Sequence, residues 1–360
     1  MDKYYLKVAM RNAEKSRGKC SPNPFVGATI VKDGKIVGEG NTQPYGQDHA
    51  EIVALKEAKE QAQDATLYVT MEPCCHYGKT PPCTDAIIKA GIKRVVVGIL
   101  DPNPDVSGKG VQTLKDAGIE VSVGYIEEEI QEQLEYYLCC IDKKRPFVIW
   151  KTALTLDGRY AASDGSSKWI SNSSSRKFVH RIRSQVDVVL AGVNSVNMDD
   201  AMLNARGFKN INQPLRVVLD PNLQINMQSA LVKSAKDFPT LIMYHSADHE
   251  TMMRLKDMGV ELQQVEGKDD TLNLDAVLEA IYQRNLNSIL LETGNKLSES
   301  FWQHNLIDKC YIFYGNKILG GDKCSLRNID RGGINKAVEL SKIRFRRLGD
   351  NVMVVGYPQY

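Results

Sequence analysis

Short apolar runs alternate with amphipathic segments through the first 145 residues of this 360-residue chain. The runs "ATLYVTM", "KRVVVGIL" and "IEVSVG" predict strands, and segments between them, such as "CTDAIIKAG" and "GVQTLKDAG", predict helices. An Asp-Gly pair between "VGATIV" and "KIVGEG" predicts a β-hairpin, and "IEEEIQEQLEYYLCCI" predicts a long helix. This alternation indicates an α/β domain with a largely parallel sheet behind one hairpin.

A second α/β unit is expected after "DKKRP", a charged segment ending at Pro146 that is typical of a domain boundary. The expected domains are residues 1–145 and 146–360. Strands are predicted in the second at "FVIWKTAL", "VDVVLAG", "LRVVLD", "TLIMYH", "NSILLE", "KCYIFYG" and "NVMVVGY". Helical stretches lie between several of them, which indicates a doubly wound sheet that ends in antiparallel strands.

The charge balance argues against several classes of function. The chain has 46 Lys and Arg against 44 Asp and Glu, so neither a dedicated nucleic-acid protein nor a membrane-surface protein is expected. No apolar run approaches the ~18 residues of a membrane span, and the N-terminus has no apolar signal region. We therefore expect a cytoplasmic protein with reduced cysteines, in which clustered cysteines suggest metal binding or catalysis rather than disulfides.

Two short motifs predict a catalytic zinc site. His49-Ala50-Glu51 lies at the start of a predicted helix, and Glu72-Pro73-Cys74 follows a predicted strand, with Cys83 further on. The pattern matches the H-x-E and P-C signature of zinc nucleobase deaminases. One imidazole and two thiolates leave the fourth position of a tetrahedral zinc ion open for water, whose pKa the metal lowers. A nearby carboxylate can then transfer protons.

The spacing of the cysteines leaves alternatives open. Eight residues separate Cys74 from Cys83, whereas the signature has two, and Cys75 with Cys83 is an equally allowed pair by spacing alone. His76 could complete a four-ligand structural site, and the cysteines could also be reduced residues of the core. The rarity of the two motifs together favours a catalytic site.

The second domain lacks the G-x-G-x-x-G fingerprint of dinucleotide-binding folds. Two predicted strand-to-helix turns could still bind phosphate through backbone N–H groups. One contains Gly192 and Ser195, and the other contains Gly294 and Asn295. From a single turn alone, an ordinary connection in which glycine allows a tight turn is the favoured interpretation.

Several longer segments resemble a known enzyme family over nearly the whole chain. "SPNPFVGA", "HAE", "VTMEPCCHYGKTPPC" and "DPNP" resemble the deaminase half of the bifunctional riboflavin-biosynthesis deaminase–reductases, and "KTALTLDGRYAASDGSSKWIS" and "GVNSVNMDDAMLNAR" resemble the reductase half. The resemblance implies an α/β protein with an N-terminal cytidine-deaminase-like zinc domain and a C-terminal dihydrofolate-reductase-like α/β reductase domain. It also implies deamination of 2,5-diamino-6-ribosylamino-4(3H)-pyrimidinone 5′-phosphate, followed by NADPH-dependent reduction of ribosyl to ribityl.

The resemblance also assigns roles in the deaminase half. It implies that His49, Cys74 and Cys83 bind zinc and that Glu51 carries protons. The expected substrate-binding residues of this half are Asn23, His76, Lys79, Asp101 and Asn103. Many family members have Ser at the position of Cys75, which favours Cys75 as a bystander. Thr42 replaces a histidine that contacts phosphate in many members, which puts one phosphate contact in doubt.

In the reductase half, the resemblance implies two groups of residues. The expected substrate-binding residues are Ser167, Arg183, Leu203, Arg206 and Glu292, with the two arginines on the phosphate. The expected cofactor-binding residues are Lys151, Ala153, Trp169, Ser195, Asp199, Gly294 and Asn295. Asp157 falls in the first reductase motif. Ala201 and Thr293 replace the family's usual Pro and Gly, and the second change affects the loop expected to bind the diphosphate.

Two other functions are compatible with parts of this pattern. The chain could deaminate another nucleobase or nucleotide and use its second domain only for oligomerisation or ligand binding. It could also be a zinc-stabilised ligand-binding protein without activity. We expect the bifunctional enzyme, acting on pyrimidine ribose phosphates as a homo-oligomer, either a dimer or a tetramer.

Overall fold

A computed structural model describes residues 1–104, 106–208 and 212–360. The chain forms two compact units, Met1–Lys144 and Arg145–Tyr360. None of the eight cysteines, all of them in described parts of the chain, forms a disulfide. No helix in the described ranges is long and apolar enough to cross a membrane.

The first unit is a five-stranded sheet with six helices. Its strands are β1 Gly27–Lys32, β2 Lys35–Asn41, β3 Thr66–Met71, β4 Arg94–Ile99 and β5 Glu120–Val123, in the order β2-β1-β3-β4-β5. Its helices are α1 Asp2–Ala13, α2 Ala50–Ala58, α3 Cys83–Lys89, α4 Lys109–Asp116, α5 Glu127–Gln133 and α6 Glu135–Lys143. Strands β3, β4 and β5 are parallel, whereas β1 is antiparallel to both of its neighbours.

The predicted hairpin is present, since β1 pairs with β2 in antiparallel fashion. In its turn Asp33 and Gly34 both adopt positive φ, 49° and 74°. The prediction of one long helix is wrong, because the segment forms two helices, α5 and α6, that meet at Leu134. The backbone there has φ −97° and ψ 14°, and the Leu134 side chain is fully buried. Its neighbour Gln133 donates from Nε2 to the carbonyl of Met10, 2.9 Å away, which ties the break to α1.

The second unit is built on a nine-stranded sheet. Its strands are β6 Phe147–Leu154, β7 Val188–Gly192, β8 Leu215–Leu219, β9 Thr240–Tyr244, β10 Glu261–Gln264, β11 Gly267–Lys268, β12 Thr271–Leu272, β13 Ser288–Leu291, β14 Lys309–Tyr314, β15 Glu339–Leu348 and β16 Asn351–Gln359. The sheet order is β10-β9-β8-β7-β13-β6-β14-β16-β15, and β11 pairs with β12 separately. The first seven strands are parallel and the last two are antiparallel, as the sequence predicts.

Six helices connect these strands. They are α7 Ser173–Arg183, α8 Val193–Asp199, α9 Ala230–Lys233, α10 His249–Asp257, α11 Leu274–Tyr282 and α12 Asn295–Gln303. Strand β13 lies between β7 and β6 at the centre of the sheet. Because the carboxyl ends of parallel strands meet at one edge, residues that follow β7 and β13 come together there.

Candidate active sites

The structure brings His49, Cys74 and Cys83 together in the first unit. Nδ1 of His49 lies 3.5 Å from Sγ of Cys74 and 3.4 Å from Sγ of Cys83. All three donor atoms lie within 4.8 Å of one another. An imidazole nitrogen and two thiol sulfurs are the donor set that zinc prefers, and a catalytic zinc ion needs only three protein ligands. The residues therefore fit this metal.

Packing of α2 against β2 positions the histidine. His49 is the residue before the first turn of α2, and Glu51 lies in that turn. A Cβ atom at Gly40 would lie only 2.0 Å from the carbonyl oxygen of Ala50, so glycine is needed for the helix to approach the strand this closely. The buried Ala50, Ala54 and Ala58 form the contact face of the helix.

The two cysteines come from consecutive elements. Cys74 follows β3 after Glu72 and Pro73, and Cys83 opens α3 directly after Pro82. The backbone N–H of Cys83 donates to Sγ of Cys74 over 3.4 Å, and the N–H of Thr84 donates to the carbonyl of Cys74 over 3.2 Å. The first N–H group of the helix therefore faces the sulfur of Cys74, which favours its thiolate form, and the second fixes the backbone of that cysteine.

Electrostatics in this cluster favour one ionised thiol and a carboxyl group that titrates near neutral pH. Hydrogen bonds from Cys83 and His49 lower the pKa of Cys74 to about 4. The hydrogen bond to that thiolate raises the pKa of Cys83, because a second adjacent thiolate would be repelled. Burial raises the pKa of Glu51 to about 7, and the charge of Cys74 adds to the rise. A bound cation would ionise both thiols.

Cys75 and His76 lie outside this cluster. Cys75 is half-buried, and burial raises the pKa of its thiol. His76 is exposed. Among the described residues, only His49, Cys74 and Cys83 form a group of three or more potential metal ligands. The geometry thus favours Cys74 over Cys75, and no residue in the described ranges joins the group as a fourth ligand.

Glu72, two residues before Cys74, contacts the loop that contains Asp101 and Asn103. Its buried carboxylate accepts hydrogen bonds from the backbone N–H groups of Asp101 at 3.2 Å, Gly108 at 2.9 Å and Val111 at 3.0 Å. It therefore fixes both ends of this loop and the first turn of α4. Sequence reasoning missed this role, since no local pattern links Glu72 to residues 29 to 39 positions away.

Asp101 is buried, and its carboxylate accepts from the hydroxyl of Tyr137 at 3.0 Å and from the N–H of Asn103 at 2.9 Å. Burial raises the pKa of this carboxyl group. Asn103 is half-buried beside it. The Asp101 side chain and the backbone of Asn103 are thus held just beyond the carboxyl end of β4.

Two loops lie near each other at the edge of the first unit. The exposed ammonium of Lys79 lies 4.2 Å from the centre of the Tyr45 ring, a cation–π contact. Thr42 is buried, and its hydroxyl accepts the N–H of Val26 at 3.0 Å. This contact closes the turn that follows the half-buried Asn23. Thr42 stands where many family members have a histidine that contacts phosphate. In this chain its buried hydroxyl binds the backbone of Val26 and is not exposed for such a contact.

In the second unit, a carboxylate whose side chain is only 9% exposed lies between two cations at the end of β13. Arg183 binds Glu292 through two hydrogen bonds, 2.6 Å from Nε and 3.1 Å from Nη2, and Nζ of Lys151 lies 3.4 Å away. Burial alone would raise the pKa of Glu292, but the two positive charges outweigh it and lower that pKa to about 2. The carboxylate is therefore ionised at neutral pH and available as an acceptor.

The segment from Leu203 to Arg206 packs against α7. Leu203 is buried with a positive φ of 52°. The carbonyl of Asn204 accepts from Nη1 of Arg183 at 3.0 Å and from Nδ1 of His180 at 3.2 Å. Nε of Arg206 donates to Nε2 of the same histidine at 3.2 Å. His180 was not among the residues expected from sequence.

The two strand-to-helix turns predicted to bind phosphate meet at the edge of the sheet. The N–H of Gly294 donates to Oγ of Ser195 at 2.8 Å, and the N–H of Gly192 donates to Oγ1 of Thr293 at 3.3 Å. The N-termini of α8 and α12 are therefore adjacent, an arrangement that suits an anion. The Asn295 side chain accepts the N–H of Leu326 at 2.7 Å and donates to a glutamate of its own helix, so its own bonds are structural.

Several other expected residues surround this edge. Trp169 is 59% exposed and has the guanidinium of Arg176 4.4 Å above its ring. Asp199 is exposed at the end of α8, and its carbonyl accepts from Lys168 at 3.0 Å. Ser167 and Ala153 are half-buried, the latter in β6. Asp157 accepts the N–H groups of residues 319 and 320, so its contacts anchor a loop.

Comparison with known proteins identifies the family. A family model for the RibD C-terminal domain matches residues 146–354, and one for the cytidine and deoxycytidylate deaminase zinc-binding region matches residues 1–99. The riboflavin biosynthesis protein RibD of Aquifex aeolicus (strain VF5) is 42% identical over 354 residues, 98% of this chain and 98% of that protein. The chain belongs to the RibD family.

Other RibD proteins match over similar lengths. That of Escherichia coli (strain K12) is 33% identical over 359 residues, covering 96% of each chain. Acinetobacter baumannii RibD superposes with a TM-score of 0.89 at 35% identity over 100% of this chain and 99% of its own. A Thermotoga maritima structure, titled a diaminohydroxyphosphoribosylaminopyrimidine deaminase/5-amino-6-(5-phosphoribosylamino)uracil reductase, superposes with a TM-score of 0.87 at 34% identity over 99% of both chains.

RibD membership settles the class of enzyme. The chain is a bifunctional deaminase and reductase of riboflavin biosynthesis, and its cofactors are zinc and NADPH. The expected fold, an N-terminal cytidine-deaminase-like domain followed by a RibD-type reductase domain, is confirmed. The three clustered donors fit zinc, and the adjacent starts of α8 and α12 fit the anionic groups of NADPH.

Proposed function

We propose that residues 1–145 catalyse deamination of 2,5-diamino-6-ribosylamino-4(3H)-pyrimidinone 5′-phosphate and that residues 146–360 reduce the resulting 5-amino-6-(5-phosphoribosylamino)uracil. The observation that carries this proposal is the cluster of His49, Cys74 and Cys83 beside the buried Glu51. The Thermotoga maritima relative, 34% identical over nearly its whole chain, is named for both reactions.

In the deaminase half, His49, Cys74 and Cys83 would bind zinc. When bound, zinc supplies a water molecule whose pKa is lowered toward neutrality. Glu51, a buried carboxyl group two residues from His49, would take the proton of the attacking water and deliver it to the departing amino group. The ring amino group is thereby replaced by oxygen and ammonia is released.

Five other side chains would bind the deaminase substrate. Asn23 would contact the pyrimidine, while His76 and Lys79, both exposed in the loop between the cysteines, would contact the phosphate. Asp101 and Asn103 would contact the ribose or phosphate, on the loop that Glu72 holds. Thr42 would supply no phosphate contact, because its hydroxyl is buried against Val26.

In the reductase half, the substrate would lie over the carboxyl end of β13. Glu292 would accept a hydrogen bond from a ribose hydroxyl, since it is ionised and little exposed to water. Ser167, Leu203 and Arg206 would surround the rest of the substrate, with Arg206 on the phosphate. Arg183 would face the substrate as well, although its guanidinium is already paired with Glu292.

NADPH would lie against the neighbouring strands and turns. When bound, it supplies a hydride for C1′ of the ribosyl group, and the protein's task is to hold the two reacting carbons together. The residues proposed to bind it are Lys151, Ala153, Trp169, Ser195, Asp199, Gly294 and Asn295. The exposed Trp169 ring offers a flat apolar face, and the N-termini of α8 and α12 offer N–H groups to phosphate.

A cytoplasmic location and a homo-oligomeric state, a dimer or a tetramer, complete the proposal. The eight free cysteines support a reducing compartment. Light scattering of the purified chain would measure the oligomeric state directly. A monomer at the concentrations used for assay would contradict that part of the proposal.

Paired variants test the two assignments on the full chain. Glu51→Gln should reduce ammonia release at least ~100-fold, because general acid–base catalysis contributes at least this much, while bound zinc is retained. The same variant should still consume NADPH when it is given 5-amino-6-(5-phosphoribosylamino)uracil. The exposed Glu57→Gln is the matched control. Full deaminase activity in the Glu51 variant would exclude the proposed mechanism.

A further inference from the structure

The two arginines proposed to face the substrate phosphate have different surroundings. Arg183 has both Nε and Nη2 on the carboxylate of Glu292 and Nη1 on the carbonyl of Asn204. A phosphate would have to compete with that ion pair, which is largely shielded from water. Arg206 is exposed, and no carboxylate among the described residues lies within ion-pair distance of it. Its two terminal nitrogens are therefore the better placed for a phosphate.

The ring of His180 lies between these two arginines and has a defined tautomer. Nδ1 faces the carbonyl of Asn204, which can only accept, so Nδ1 carries the hydrogen. Nε2 faces Nε of Arg206, which always carries a hydrogen, so Nε2 is the acceptor. Both contacts require the same neutral ring. Burial and the charges of Arg183 and Arg206 keep it neutral by lowering the pKa of His180 to about 4.

The contacts of His180 also connect α7 to the segment from Leu203 to Arg206, and the substrate is proposed to contact both. The histidine is on α7, one turn before Arg183, and both side chains donate to the carbonyl of Asn204. That shared carbonyl fixes the backbone between Leu203 and Arg206. Nε2 of His180 accepts from Nε of Arg206 and so fixes that side of the guanidinium. The other side, formed by Nη1 and Nη2, is left for a bidentate contact with phosphate.

We infer that His180 is a positioning residue of the reductase site, whose neutral ring orients the guanidinium of Arg206 toward the phosphate of 5-amino-6-(5-phosphoribosylamino)uracil. Arg183 is assigned instead to Glu292 and to the Asn204 carbonyl. The inference rests on the proposed function, which places the phosphate at Arg206. It predicts that His180 affects binding of the phosphorylated substrate without taking part in hydride transfer.

Replacement of His180 by three residues tests this inference in steady-state kinetics of NADPH oxidation by the full chain. His180→Phe keeps a ring and removes both hydrogen bonds. It should raise the KM for the phosphorylated substrate about tenfold, as expected for a lost hydrogen bond to a charged group, with little change in kcat. His180→Gln, whose amide oxygen can occupy the position of Nε2, should recover much of the loss, whereas His180→Asn should not.

Two further measurements separate orientation of Arg206 from a general structural role. With the same substrate lacking its phosphate, wild type and His180→Phe should have similar KM values. In a double-mutant cycle, His180→Phe should add little to Arg206→Gln, because the histidine acts through that arginine. Arg181→Gln, an exposed charge removed from the same helix, is the control, and the Kd for NADPH together with deaminase activity reports on folding.

The outcomes distinguish this inference from the proposed function. If Arg206→Gln raises the KM only for the phosphorylated substrate but His180→Phe leaves it unchanged, the positioning role is wrong and the proposed site stands. Additive effects, or an equal loss with the substrate that lacks phosphate, would also overturn the positioning role. If Arg206→Gln has no effect on either substrate, the assignment of the phosphate in the proposed function fails first.

Discussion

Replacement of Glu72 by Gln should weaken the deaminase unit at a point outside the zinc cluster. Oε2 of Glu72 accepts two backbone N–H groups, from Asp101 and Gly108, and Oε1 accepts a third, from Val111. Glutamine has one acceptor oxygen and one donor NH₂ group at these two positions. Whichever way its amide is turned, at least one buried N–H group faces another donor.

The size of the effect follows from this count. One unsatisfied buried N–H group costs about 1–3 kcal/mol. The two remaining hydrogen bonds go to a neutral oxygen instead of a charged one. Because the carboxylate charge roughly doubles the strength of such a bond, about 1–2 kcal/mol more is lost. The free energy of unfolding of the first unit should therefore fall by about 2–5 kcal/mol. For a unit of this size that corresponds to a decrease in Tm of roughly 6–15 °C.

Thermal unfolding of the full chain, together with both activities and zinc content, would measure this. We expect the transition of the first unit to shift down and the deaminase KM to rise, because the loop of Asp101 and Asn103 loses its anchor. Reductase activity should be unchanged. The control is Glu57→Gln, since exposed Glu57 accepts a single N–H group, that of Glu39, at 2.8 Å. Equal, small shifts in both variants would refute the reasoning.

Three further predictions concern helix packing, the identity of the zinc ligands and the charge of Glu292. Gly40→Ala should lower both Tm and zinc content, because its Cβ would meet the first carbonyl of α2 at 2.0 Å, whereas Gly78→Ala, with nothing within 4 Å, should change neither. Cys75→Ser should bind one zinc ion per chain, as measured by elemental analysis, and loss of zinc would show that Cys75 is a ligand. Glu292→Gln should cost about 3–5 kcal/mol at pH 7, because the two half-buried cations beside it lose their partner. The folded pKa of Glu292, about 2, lies below its usual 4.5, so its stabilisation is complete above pH ~4.5 and is lost as the pH falls toward ~2. The difference in stability from wild type should shrink over that range, and a constant difference would contradict the assigned pKa.

Local patterns in the sequence were sufficient to predict the zinc cluster and most strands. His49 and Cys74 lie in short motifs at a helix start and a strand end, and Cys83 follows two prolines that begin a helix. Each of these positions is determined by neighbours in sequence. Spacing alone leaves Cys74 and Cys75 as alternatives. The structure agrees with the family resemblance, because the sulfurs of Cys74 and Cys83 lie near His49 and Cys75 is outside the group.

The contacts that support both sites could not be predicted in this way. Glu72 and His180 act on residues 24 to 39 positions further along the chain, through backbone groups that any sequence offers. Strand β15, "ELSKIRFRRL", was missed for a related reason. It is an edge strand with mostly exposed side chains, so its charged residues leave no apolar pattern to detect.

The central claim is that one chain contains two separate sites, of which only the first depends on zinc. Its most direct test is an assay of the full chain before and after zinc removal by a chelator, with ammonia release and NADPH oxidation each measured on its own substrate. We expect chelation to abolish ammonia release, with recovery on addition of zinc, and to leave NADPH oxidation largely intact. Ammonia release that survives complete loss of zinc, or loss of both activities together, would contradict the claim.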